Sequence, residues 1–101
     1  MTILDKIIAD KRKEVALKKA IIPVAQLEAS VFFDRQTKSL SNNLRNGSRG
    51  IIAEHKRRSP SKSVINNDFS VEEGIKAYEN AGAMGISVLT DMKYFGGALD
   101  D

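Results

Sequence analysis

The stretch "IIAEHKRRSPSKS" (residues 51–63) decides how this chain is read. Ile51, Ile52 and Ala53 form a short apolar run suited to a buried strand. Glu54, His55 and Lys56 follow at once. Side chains alternate along a strand, so Glu54 and Lys56 share a face, roughly 7 Å apart at their Cα atoms, and His55 points the other way. Pro60 cannot donate to a ladder, so the strand is expected to stop near Arg57. Such a strand sends an acid and a base out of its carboxyl end, which is where parallel α/β sheets bind ligands.

Beyond it, "SPSKSVINNDF" (residues 59–69) reads as a loop. Ser70-Val71-Glu72-Glu73 is a capping box, Val71, Ile75 and Tyr78 recur at helical spacing, and Gly82 suits the position after that helix. "ISVLT" (residues 86–90) is a second buried strand. One crossover helix between two such strands makes a β-α-β unit with a parallel pair. "DMKYFGGALDD" (residues 91–101) leaves the second strand, with Gly96-Gly97 read as a bend. Two parallel strands leave both edges open and bury few faces, so the pattern suggests the beginning of something larger.

Working back from residue 51, Thr2-Ile3-Leu4-Asp5 is another capping box. Leu4, Ile8 and Val15, widened by Ile3 and Ile7, mark one face of a helix over about residues 3–19. Glu14 and Lys18 form a favourable i,i+4 pair. Pro23 breaks that helix or starts a short one over Val24–Ala29. "SLSNNLRNGSRG" (residues 39–50) is a weak helix ending in the turn Asn46-Gly47. The expected organisation is a helical extension over residues 1–48 and the β-α-β unit over residues 49–101.

The 101 residues are 42% apolar and 29% charged, a globular composition sized for one modest core. No run approaches the ~20 apolar residues of a membrane span. "MTILDKIIADKRKEV" becomes charged too early for a secretory signal, which points to the cytoplasm. With no cysteine and one histidine there is no disulfide framework and no metal-ligand spacing. The net charge of +3 is mild and lacks the dense basic stripe and stacking aromatics of a nucleic-acid domain. Small anionic ligands fit the balance at least as well.

From spacing alone, Glu54 and Lys56 are either a mutually tuned acid–base pair or a plain ion pair at a strand end. Arg57 and Arg58 read first as solvated surface charge rather than an anion seat. Ser59-Pro60-Ser61 either presents hydroxyls from a rigid loop or is a simple turn. His55 reads as a hydrogen-bonded structural histidine facing covering helices. Gly96-Gly97 matches no phosphate-loop pattern.

"IIAEHKRRSPSKSVI" resembles the signature of indole-3-glycerol phosphate synthases, an apolar strand carrying Glu and Lys two apart, then two variable residues and Ser-Pro-Ser. "YENAGAMGISVLTDMKYFGGALDD" is similar to that family's next helix, second strand and following loop, and "ILDKIIADKRKEV" to the extension before its barrel. The resemblance covers nearly the whole chain. It implies the N-terminal portion, about two-fifths, of a (β/α)₈ barrel of about 250 residues with its active site at the C-terminal face. It also implies conversion, without a cofactor, of the anionic substrate 1-(2-carboxyphenylamino)-1-deoxyribulose 5-phosphate to indole-3-glycerol phosphate, with loss of CO₂ and water, in tryptophan biosynthesis.

On this resemblance Lys56 meets the substrate carboxylate and takes part in proton transfer, and Glu54 holds the lysine and assists. Ser59 and Pro60 shape the wall near the anthranilate part, and Phe95 packs on the aromatic ring. His55 stands where the family has an apolar residue. The family's third-strand lysine, fourth-strand glutamate and phosphate loops have no counterpart in this chain. These 101 residues are therefore expected to be inactive alone and to self-associate. The rival reading is a non-catalytic module that holds an anion, or a nucleic acid, on its basic loop.

Overall fold

The computed structural model describes residues 1–101 and divides into two compact units, Met1–Lys38 and Ser39–Asp101. The first unit is helical. Helix α1 spans Ile3–Ile21 and α2 spans Val24–Glu28. Thr2 starts α1 as a reciprocal capping box: its hydroxyl accepts from the Asp5 N–H at 3.2 Å, and the Asp5 carboxylate accepts from the Thr2 N–H at 3.0 Å. Glu14 accepts from Lys11 and from Lys18, the latter at 2.9 Å, and these bonds, Lys11 first, hold its carboxyl below the ordinary range. α1 runs two residues further than its sequence pattern, ending at C-cap Ile22, and Pro23 starts the next helix as the N-cap of α2. No residue of α1 or α2 is fully buried.

The second unit holds α3 (Leu40–Asn46), β1 (Ile52–His55), α4 (Val71–Asn80), β2 (Gly85–Val88) and α5 (Met92–Phe95). β1 and β2 are parallel, with Ile52 opposite Gly85, Ala53 opposite Ile86, Glu54 opposite Ser87 and His55 opposite Val88. The expected parallel pair and crossover helix are therefore present, and the chain is α/β. α3 lies within this compact unit and packs on β2. Leu40 lies so close over Gly85 that a Cβ there would stand 2.3 Å from its Cδ1.

Local chemistry explains the boundaries of α4. The Ser70 hydroxyl accepts from the Glu73 N–H at 3.1 Å. The Glu73 carboxylate returns to the Ser70 hydroxyl, not to its backbone N–H, so this is a one-sided variant of the expected box. At the other end Gly82 adopts φ +94°, and the N–H groups of Gly82 and Ala83 donate back to the carbonyls of Glu79 and Tyr78 at 3.0 and 3.1 Å. This is the left-handed helix ending that favours glycine. Arg49 adds a 3.1 Å donation to the Ala81 carbonyl.

The two sides of the sheet differ. α4 covers one side, where His55 is only 1% exposed. Gly74 makes that approach possible, since a Cβ on it would lie 2.9 Å from His55 Nδ1. The Tyr78 hydroxyl pins α4 to the strand by donating to the Glu54 carbonyl at 3.0 Å. The other side carries Ile52 and Glu54, both exposed, and the direction of Lys56. No apolar side chain of the chain is fully buried. No helix is long and apolar enough to cross a membrane.

Candidate active site

Glu54 is the third residue of β1, and Lys56 lies just beyond the strand end. Their shared face brings Lys56 Nζ to 3.0 Å from Glu54 Oε2, an ion pair that is partly open to solvent. The same ammonium stands 5.6 Å from the centre of the Phe95 ring, within cation–π range. Three of the five residues implicated by sequence thus meet at the carboxyl end of β1. The pairing leaves the lysine able to meet an anion from the open side, with a carboxylate beside it to fix its position and exchange a proton.

Phe95 reaches the lysine because α5 (Met92–Phe95) turns back after β2, where the sequence pattern suggests only an exit from the strand. The Asp91 carboxylate caps α5 by accepting from the Tyr94 N–H at 2.8 Å. Gly96 ends the helix at φ +69°. Gly97 packs directly on the Leu89–Thr90 backbone, where a Cβ would be 2.0 Å from the Leu89 carbonyl oxygen. The glycine pair is therefore a helix end followed by a close backbone approach. Asp91 followed five residues later by the start of the Gly96-Gly97 pair is the local signal for this helix.

Ser59 and Pro60 form a tight turn. Ser59 and Lys62 exchange backbone hydrogen bonds at 2.9 and 3.1 Å, and the Ser59 and Ser61 hydroxyls lie 3.2 Å apart. The Arg57 carbonyl closes the next part of the loop by accepting from Ile65 and Asn66 at 2.8 and 3.1 Å. The loop is thus tied to the strand end at several points.

The two arginines, half-buried, both have partners within the chain. Arg57 donates both guanidinium branches to Asp101, at 2.5 and 3.1 Å, and Asp101 also accepts from the Ala98 N–H at 2.9 Å. The guanidinium, then the Ala98 N–H, hold the Asp101 carboxyl below the usual aspartate range, and the same bond raises the Arg57 pKa. Arg58 donates to the carbonyls of Met92 and Lys93 at 2.8 and 3.1 Å. Both cations tie the β1 exit to the segment after β2. An anion-holding module would need them free, so their commitment weighs against that reading.

His55 departs from expectation in one respect. It is buried against α4, as the alternation predicted, but its Nε2 has no hydrogen-bond partner. No group of acidic or histidine side chains is arranged to hold a metal.

A parallel strand pair with a crossover helix defines an α/β protein, and its ion-paired acid and base lie at the carboxyl end of the strands, the end at which α/β sheets generally bind ligands. The family model for indole-3-glycerol phosphate synthase matches residues 4–101. A Bacteroides thetaiotaomicron protein of that name is 46% identical over 99 residues, covering 98% of this chain. A Bacillus cereus protein of the same name is 45% identical over 101 residues and covers 99% of it, and one from Neisseria gonorrhoeae is 42% identical over 100 residues and covers 95%. The chain belongs to the indole-3-glycerol phosphate synthase family. It spans 36–38% of the length of these relatives.

Proposed function

We propose that these residues supply the first two strands, and part of the active site, of a (β/α)₈ barrel that makes indole-3-glycerol phosphate. Residues 1–48 act as the helical extension and residues 49–101 begin the barrel. The enzyme is a carboxy-lyase of tryptophan biosynthesis, working in the cytoplasm. It closes the indole ring of 1-(2-carboxyphenylamino)-1-deoxyribulose 5-phosphate with loss of CO₂ and water. The observation that carries the reading is the Lys56 ammonium held between Glu54 and the Phe95 ring at the end of β1.

In this reading Lys56 receives the substrate carboxylate and passes a proton, while Glu54 orients the ammonium. Phe95 offers its ring to the aromatic part of the substrate, and Ser59 and Pro60 form the neighbouring wall. Two strands do not make a preorganised site, since the groups that would grip the phosphate and complete the proton transfers must come from elsewhere.

The test is a chimera joining residues 1–101 to the remainder of the Bacteroides thetaiotaomicron relative, assayed for indole-3-glycerol phosphate beside the 101-residue chain alone. The chimera should turn over substrate and the chain alone should not. A well-folded chimera without activity would contradict the reading.

The chain alone should also self-associate. The β1–β2 pair has unpaired edges, and Ile51 and Ile52 are exposed. Apolar surface against water costs roughly 25 cal/mol per Å², and open edges add unpaired backbone groups. Sedimentation equilibrium over a dilute concentration series should show assemblies. A folded monomer throughout would contradict this expectation.

A further inference from the structure

The most informative feature outside the Glu54–Lys56 pair is the seat of Arg58. A four-residue helix satisfies few of its own carbonyls: the Gly96 N–H donates to the Met92 carbonyl at 3.0 Å, and the acceptor capacity left on α5 is open to an outside donor. Arg58 supplies it by reaching 34–35 residues along the chain to the Met92 and Lys93 carbonyls. The planar fork lets one guanidinium branch serve two oxygens, which a lysine ammonium does less well. The Arg58 stem passes beside Gly96, where a Cβ would stand 3.1 Å from Arg58 Nε. The left-handed turn at Gly96 and the absence of a side chain there open the place that Arg58 fills.

Lys56 and Arg58 lie two residues apart at the β1 exit. One meets the Phe95 ring, and the other grips the helix that carries it. We propose that Arg58 is a positioning residue that caps α5 and thereby holds the Phe95 ring beside the Lys56 ammonium. Its bearing on catalysis rests on the function proposed above, but its bearing on geometry does not. Arg58 touches no reacting atom in this scheme. It sets the width of the opening between ring and ammonium, and so governs how firmly an aromatic carboxylate is received.

Two readouts separate the claims. In the 101-residue chain carrying ¹³Cε-lysine, the Lys56 ε-methylene signal should lie upfield through the ring current of Phe95. Lys56→Arg assigns the signal and Phe95→Leu gives its position without a ring. Arg58→Ala should move the signal to the Phe95→Leu position while the β1–β2 amide signals stay in place. Arg58→Lys should fall between, and it remains readable if the alanine variant does not fold. A Lys56 signal unmoved in Arg58→Ala, or in Arg58→Lys if that is the variant that folds, would overturn the proposal. In the chimera, Arg58→Ala should raise KM by about two- to five-fold, the worth of an exposed cation–π contact, with a smaller change in kcat. A loss confined to kcat would overturn the positioning role. A chimera inactive with Arg58 intact would count against the proposed function and leave the spectroscopic result standing.

Discussion

The two faces of β1 are one residue apart in sequence and opposite in character. Ala53 and His55 look toward α4, and His55 is shut off from water. Ile52, Glu54 and Lys56 look the other way, where the ion pair stays partly open. The covered face is specified by steric fit, down to the missing side chain at Gly74. The open face is specified by charge. A four-residue strand can therefore assign structure to one side and chemistry to the other, because the alternation of side chains keeps the two requirements from competing.

The sharpest way to break this division is to remove the open-face base. In the chimera, Lys56→Ala should lower turnover by ~10²–10⁴-fold, the usual contribution of a general acid–base group. Thermal or denaturant unfolding should barely change, since the Lys56–Glu54 pair is partly open to solvent. Steady-state assays checked against the unfolding midpoint decide this; a small rate effect would mean the charge pair is only an ion pair.

Gly74→Val tests the covered face. Its side chain would press on His55, and overpacking of this kind typically costs 1–3 kcal/mol. Urea denaturation of the chimera should show the lower midpoint, while kcat of the folded fraction should be preserved. An unchanged midpoint would mean that α4 can back away freely from β1.

His55→Leu should act in the opposite direction. It removes a buried nitrogen that lacks a partner, a defect worth roughly 1–3 kcal/mol, and loses some fit to Gly74. The expected net gain is about 1 kcal/mol by the same denaturation measurement. A loss of stability would show that the imidazole has a role in packing that outweighs its orphan nitrogen.

The smallest effect concerns pH. The Asp101 pKa is depressed in the folded chain, chiefly by Arg57, so its contribution is present above the unfolded aspartate value of about 3.9. It is lost as pH falls through the lower folded value. Asp101→Asn should therefore lower stability slightly and by a constant amount above about pH 4, with the difference shrinking away as pH falls below it, so that the variant has the flatter acid limb. A difference between the two proteins that persists or grows as pH falls below 4 would contradict this assignment.

Much of this was legible because it is local. Thr2 and Asp5, or Tyr78, Glu79 and Gly82, meet within one or two turns, and their spacing is their geometry. The shared face of Glu54 and Lys56 follows from strand alternation alone. The roles of Arg57 and Arg58 were hidden for the opposite reason. Their partners lie 44 and 34–35 residues away, and nothing in "KRRSP" distinguishes an arginine that caps a distant helix from one in solvent. α5 was passed over because four residues give no hydrophobic period to read, although Asp91 and Gly96 marked both of its ends. The burial of His55 was foreseen, but whether a buried nitrogen finds a partner depends on atoms placed by the tertiary fold.

The separation of the two faces is tested most directly by a double-mutant cycle on Lys56→Ala and His55→Leu in the chimera. Adjacent residues ordinarily couple, whereas independent sites add within about 0.3–0.5 kcal/mol. The double variant should lose turnover by the factor seen for Lys56→Ala alone and unfold at the midpoint set by His55→Leu alone. A coupling above that margin, in either the rate or the midpoint, would mean that chemistry and packing at β1 are not divided between its faces.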